Sequence, residues 1–135
     1  MKRIISCLLC FVLIFAISGV VTYAHENDIA LCNNNVMLTD TQFFISNNGK
    51  ADINVAYYGY IGITTQGTIT TILEKKVNSN WVEMYKWTEN STADTYLKSY
   101  TPQLTQGTYR LTVEYRISGF GGVDDVIVDV ITKTY

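Results

Sequence analysis

The chain has 135 residues, a net charge of −2, one histidine, three cysteines and a single proline. That length suits one domain, and mild acidity with scattered cations excludes the basic stripe that tracks a phosphate backbone. The only histidine, His25, begins a polar segment. Ser-His-Asp and Cys-His machinery needs an imidazole packed beside its nucleophile, so both are excluded.

In chain order, Lys2 and Arg3 precede an apolar run from Ile4 to Ile17, and Thr22 and Ala24 occupy the −3 and −1 positions of a small-residue cleavage site. This pattern predicts a secretory signal peptide over residues 1–24, cleaved after Ala24, and a secreted or envelope-associated product. The rival is an uncleaved anchor, but a bilayer span takes about 20 apolar residues and Ser18-Gly19 interrupts the run. Cys7 and Cys10 sit too early in that run to become a lipidated first residue. Losing Lys2 and Arg3 moves the net charge from −2 to −4, so the mature chain is expected to have no attraction to anionic lipid and no membrane contact. Cys32 is then the only cysteine left, which excludes an internal disulfide and leaves an intermolecular one open.

Residues 25–35 lack periodicity and end in Asn33-Asn34-Asn35, which predicts a flexible N-terminal arm. Residues 36–135 read as strands throughout. The first spans about Leu38 to Ile45, and Asn47-Asn48-Gly49 turns it into Ala51–Tyr57, with Ala51, Ile53, Val55 and Tyr57 facing inward. Thr68–Val77 follows, then an Asn78-Ser79-Asn80 turn, Trp81–Trp87, and a strand around Thr92–Tyr100. In Tyr109–Ile117 every odd position is apolar and every even one polar, the signature of a half-buried strand. The last strand, Asp125–Thr134, is expected to bury Val126, Val128 and Val130, with Asp125, Ile127, Asp129 and Ile131 on a partly wet face. Short strands with regular turn signals and no helical stripe predict an all-β, seven-strand antiparallel sandwich.

Tyr109, at the start of its strand after Leu104-Thr105-Gln106-Gly107-Thr108, suits a tyrosine corner and so an immunoglobulin-like topology; an ordinary inward tyrosine is the alternative. Without a Cys…Trp…Cys framework, an antibody-type domain is excluded.

Phe44-Ile45-Ser46 running into Asn47-Asn48-Gly49-Lys50-Ala51, the stretch Leu73 to Trp81, Trp87, Leu97 and Gly107-Thr108-Tyr109-Arg110-Leu111 give the chain a resemblance to a family. It resembles the small secreted single-domain β-sandwich proteins of Gram-positive bacteria, a family of unknown function. The resemblance implies the fold and a bacterial source and transfers no catalytic residue.

Little chemistry can be built from the rest. No His or Cys spacing suits a metal, and Gly59 and Gly62 open no helix that would cradle phosphate. Glu74, Glu83, Glu89, Glu114, Asp124 and Asp125 could furnish a glycosidase pair, yet most fall at outward strand positions. Asp124-Asp125 after Gly119-Phe120-Gly121-Gly122 could contribute to a calcium site, against the plainer reading of a solvated turn. The expectation is a non-enzymatic protein without a cofactor.

In the expected topology the loops Tyr58–Gln66, Thr88–Ser91 and Ser118–Val123 gather at one end of the sandwich. They carry Tyr58, Tyr60 and Phe120, candidate residues for binding an extracellular protein or envelope glycan. The competing reading folds these side chains back as a lid, with Ile61 and Ile63 as plugs. A carbohydrate-binding module, or a small glycosidase, is the alternative function. Its stacking surface would be Trp81, Tyr85 and Trp87, the two tryptophans being expected on one strand face. Self-association through an edge strand is a third reading, so the oligomeric state is left open.

Overall fold

The computed structural model describes residues 33–135; the expected signal peptide, the expected arm as far as residue 32, and Cys32 lie outside the described residues. Seven strands follow one another: β1 (Val36–Ile45), β2 (Ala51–Gly59), β3 (Thr64–Val77), β4 (Asn80–Ser91), β5 (Thr95–Tyr100), β6 (Thr108–Gly119) and β7 (Asp125–Thr134). They form a three-stranded sheet in the order β1-β2-β5 and a four-stranded sheet in the order β4-β3-β6-β7, with every pairing antiparallel. The architecture is a β-sandwich.

The inner faces of both sheets make one core. Period-2 alternation is strongest in β6, whose Tyr109, Leu111, Val113, Tyr115 and Ile117 are all buried. Across the core, Ala51, Ile53, Val55 and Tyr57 of β2 are buried as the alternation predicts. Burial on this pattern fixes the register, since a one-residue slip would turn each apolar set to solvent.

Turn chemistry closes the end farther from the candidate loops. Gly49, at φ +80°, completes the β1–β2 turn, in which its N–H donates to the Ser46 carbonyl at 2.9 Å. Asn78, at φ 56°, takes the left-handed position between β3 and β4. The Tyr109 hydroxyl donates to the Thr105 carbonyl at 2.6 Å, the local geometry of a tyrosine corner.

Two expectations about faces are corrected. In β7 it is Val126, Val128 and Val130 that are exposed, while Ile127 and Ile131 pack against the core and Asp125 is buried. Both faces of this edge strand carry β-branched residues, so composition does not distinguish them. The inward carboxylates are tolerated because each is hydrogen-bonded. Asp129 accepts from the Thr41 hydroxyl at 2.6 Å, and beside it Tyr115 donates to the Asp40 carbonyl at 2.8 Å. This polar seam joins β1 to β7 across the sheets, and burial pushes the Tyr115 hydroxyl up to about 12.

The second correction concerns the tryptophans. Leu73 pairs with Tyr85 but Glu74 pairs with Glu83, so β4 carries one extra residue, Met84, as a bulge. The bulge inverts facing along β4. Trp87, opposite buried Thr71, points inward, whereas Trp81, opposite Lys76, lies on the outer face. An even separation does not put them on one side.

A loop cluster with exposed apolar tips

The strands end differently from the expected loops. Thr88–Ser91 belongs to β4, and Thr64–Gln66 belongs to β3. The connections that meet at this end are Tyr60–Ile63, Thr92–Asp94 and residues 120–124. They are tied together by backbone bonds: Gly59 N–H donates to Asp94 at 2.7 Å, and Phe120 N–H donates to Ile63 at 2.9 Å. Beneath them stands Tyr57, buried, its hydroxyl donating to the Ala93 carbonyl at 2.7 Å. Gly67 makes room for it, because a Cβ there would overlap the Tyr57 ring. Burial raises the Tyr57 pKa above the ordinary tyrosine value.

The deepest element of this end is one the sequence does not announce. Asn34 and Asn35, assigned to the arm, are held by Asp125. Its carboxylate accepts the N–H groups of Asn34 (3.2 Å), Asn35 (2.7 Å) and Val36 (3.0 Å). Asn35 is fully buried; its side chain donates to the Val123 carbonyl at 2.7 Å and accepts from Gly121 N–H at 3.0 Å. Its own carbonyl accepts from the Thr64 hydroxyl, which in turn accepts from Tyr60 N–H at 2.8 Å. Gly121 packs so closely on the Asn34 carbonyl that a Cβ would collide with it. Asp125 is thus a buried clamp on the first strand, while Asp124 faces Arg116 at 3.9 Å on the surface. The adjacent aspartates point to different partners, and no group of three metal-ligating side chains occurs among the described residues.

On this rigid base the apolar side chains stand outward. Ile61 is 89% exposed, Phe120 83% and Val123 81%. Ile61 is therefore no plug and Phe120 no lid; of the two isoleucines only Ile63 is half-buried. Tyr60 is half-buried behind these tips. Tyr58 is exposed on the outer face of the three-stranded sheet, paired with exposed Leu38. The structure brings Tyr58, Tyr60 and Phe120 to one end. Sequence reasoning missed Val123, although the run Phe120-Gly121-Gly122-Val123 holds two apolar residues in a glycine-rich turn.

Of the alternative stacking residues, Tyr85 and Trp87 are brought together and Trp81 is not. Trp87 is half-buried and stacked on Tyr100 (4.4 Å between centroids) and on Tyr85 (5.3 Å). This column fills the seam between β4 and β5, where Glu89 accepts from the hydroxyls of Tyr96 and Tyr100, both at 3.3 Å, and pairs with Lys98 at 3.3 Å. Trp81, on the opposite face, has the Arg110 guanidinium 4.6 Å from its ring centroid, and Glu74 holds that guanidinium at 2.7 Å. Stacked aromatic rings and a cation on an indole face are ordinary packing solutions. No pocket opens among the described residues.

No family model, curated protein or solved structure matches the chain.

Proposed function

We propose that this protein is an exported, non-enzymatic interaction module with an immunoglobulin-like sandwich, and that it binds through the loop end. The strand order β1-β2-β5 and β4-β3-β6-β7, with the Tyr109 corner, supports the immunoglobulin-like reading. The observation that carries the binding reading is the exposure of Ile61, Phe120 and Val123 together, on loops whose backbone is hydrogen-bonded to the core. Single exposed apolar residues are normal on protein surfaces, whereas a cluster on rigidly held loops marks recognition.

Carbohydrate binding has less support, because Trp81 and Trp87 lie on opposite faces and both rings are already engaged. Retention on isolated Gram-positive cell envelopes tests the two together. Tyr60→Ala/Phe120→Ala should abolish retention while Trp81→Ala leaves it intact. Retention that survives the loop substitutions rejects the site, and loss with Trp81 alone would move it to the outer sheet face.

A further inference from the structure

We infer that β7 is the edge through which two copies of the chain pair, antiparallel about a two-fold axis at Ile131, so that their four-stranded sheets become one continuous sheet. This contact is independent of the loop-end reading. It begins with the backbone. Gly107 and Tyr135 each donate an amide to the other's carbonyl, at 3.0 and 2.9 Å. Hydrogen-bonded pairs alternate along an antiparallel ladder, and the β6–β7 register runs without a shift. The odd residues of β7 therefore bond to β6. The amides and carbonyls of Val128, Val130, Thr132 and Thr134 point off the edge, where no strand pairs with β7.

The other sheet edges are short or interrupted. β5 has six residues, and β1 and β4 are bulged at Met37 and Met84. Short strands and bulges blunt an edge against pairing. β7 has ten residues, no bulge and no proline. One open edge in each copy closes as a two-fold dimer and leaves nothing to extend into a filament.

The charge pattern commits this edge to a second copy. An edge lysine guards against an incoming strand, and Lys133 is exposed with no ion pair among the described residues. Pairing is open to a strand that brings a carboxylate opposite that lysine, and β7 brings its own. With the axis at Ile131, Asp129 of each copy lies opposite Lys133 of the other, on either side of the two Ile131 residues. On the outer face Val130 meets Thr132 and Val128 meets Thr134. Unlike charges directly opposite favour an antiparallel pair, and like charges oppose it. An axis at Asp129 or at Lys133 would set like charges face to face. Thr41 takes Oδ2 of Asp129, which leaves Oδ1 for the lysine.

Sedimentation equilibrium of the full chain tests this. Wild type should dimerise as its concentration rises. Lys133→Glu sets a glutamate against Asp129 and should raise the dimer dissociation constant about tenfold or more. Lys86→Glu, the same charge change at an exposed site on β4, should leave it unchanged. Val130→Pro removes an amide that points off the edge, a place where a strand tolerates proline, and should give a monomer. Hydrogen exchange locates the contact: the amides of Val128, Val130, Thr132 and Thr134 should slow as protein concentration rises. A wild-type chain that stays monomeric at millimolar concentration overturns the inference, as does a dimer that tolerates both Lys133→Glu and Val130→Pro. Slowing of those amides by an envelope fraction, and not by a second copy, would give the edge to a foreign strand and overturn it equally.

Discussion

The two ends of the sandwich do the same structural work with opposite surfaces. At the polar end, Gly107 and Tyr135 exchange backbone bonds at 3.0 and 2.9 Å, Leu104 N–H donates to Gly49 at 2.8 Å, and Gln103 donates to the Asn48 carbonyl at 2.7 Å. The two hairpin turns at this end, Asn47-Asn48-Gly49 and Asn78-Ser79, are built of asparagine, serine and glycine; in the β5–β6 connection Leu104 is apolar but buried, and Val77 is an exposed apolar residue nearby. At the other end the closing bonds run through Asn35, Asp125 and Thr64, and the tips are Ile61, Phe120 and Val123. A strand can be reversed with polar residues alone. The apolar tips are thus no requirement of closure, and their exposure is what supports the proposed interaction surface.

Breaking the closure at each end sharpens this contrast, and the loop end should suffer most. Asp125→Ala strands the buried amides of Asn35 and Val36. At ~1–3 kcal/mol for each buried unsatisfied group, the loss should be about 2–6 kcal/mol, read as a lower urea midpoint at unchanged slope. A midpoint equal to wild type would show that the clamp contributes nothing.

Alkaline titration comes next. Burial raises the Tyr57 and Tyr115 pKa values above 10, the latter to about 12. Above pH 10 the unfolded chain releases these protons while the folded chain keeps them, so the unfolded state binds fewer protons and stability falls with pH. The associated stability should be fully present below pH 10 and lost between about pH 10 and 12. Tyrosinate absorbance should lag behind that of free tyrosine over this window. A rise in absorbance that matches free tyrosine for every ring would contradict the burial.

At the polar end, Tyr109→Phe removes one hydrogen bond to Thr105 while keeping the ring, for a loss of about 1 kcal/mol. The smallest effect belongs to the tips themselves. Ile61→Ser/Phe120→Ser should change stability by no more than about 0.5 kcal/mol, as exposed positions do. A large destabilisation would mean that these side chains support the fold.

Legibility in the sequence followed locality. The alternation of β2 and β6, the Asn-Gly turn and the position of Tyr109 depend on neighbouring residues, and each was readable. The face of β7 was not, because Asp125 and Asp129 become acceptable inside only through Asn35 and Thr41, about ninety residues away in the chain. Facing along β4 failed at Met84, since nothing in Trp81–Trp87 marks a bulge. The same distance dependence hid the Asn35 clamp, whose residues looked like the end of a polar arm. Tyr58, Tyr60 and Phe120 were picked out from topology and composition, while only their exposure shows that Ile61 and Phe120 do not fold back as a lid.

The most direct test of the central claim pairs one apolar residue from each end in the envelope-retention assay. Phe120→Ser and Val77→Ser each remove an exposed apolar side chain, the first from the loop cluster and the second from the polar end. Loss of retention in Phe120→Ser with full retention in Val77→Ser is the predicted result. Equal retention of both variants, or equal loss, would contradict an interaction surface at the loop end.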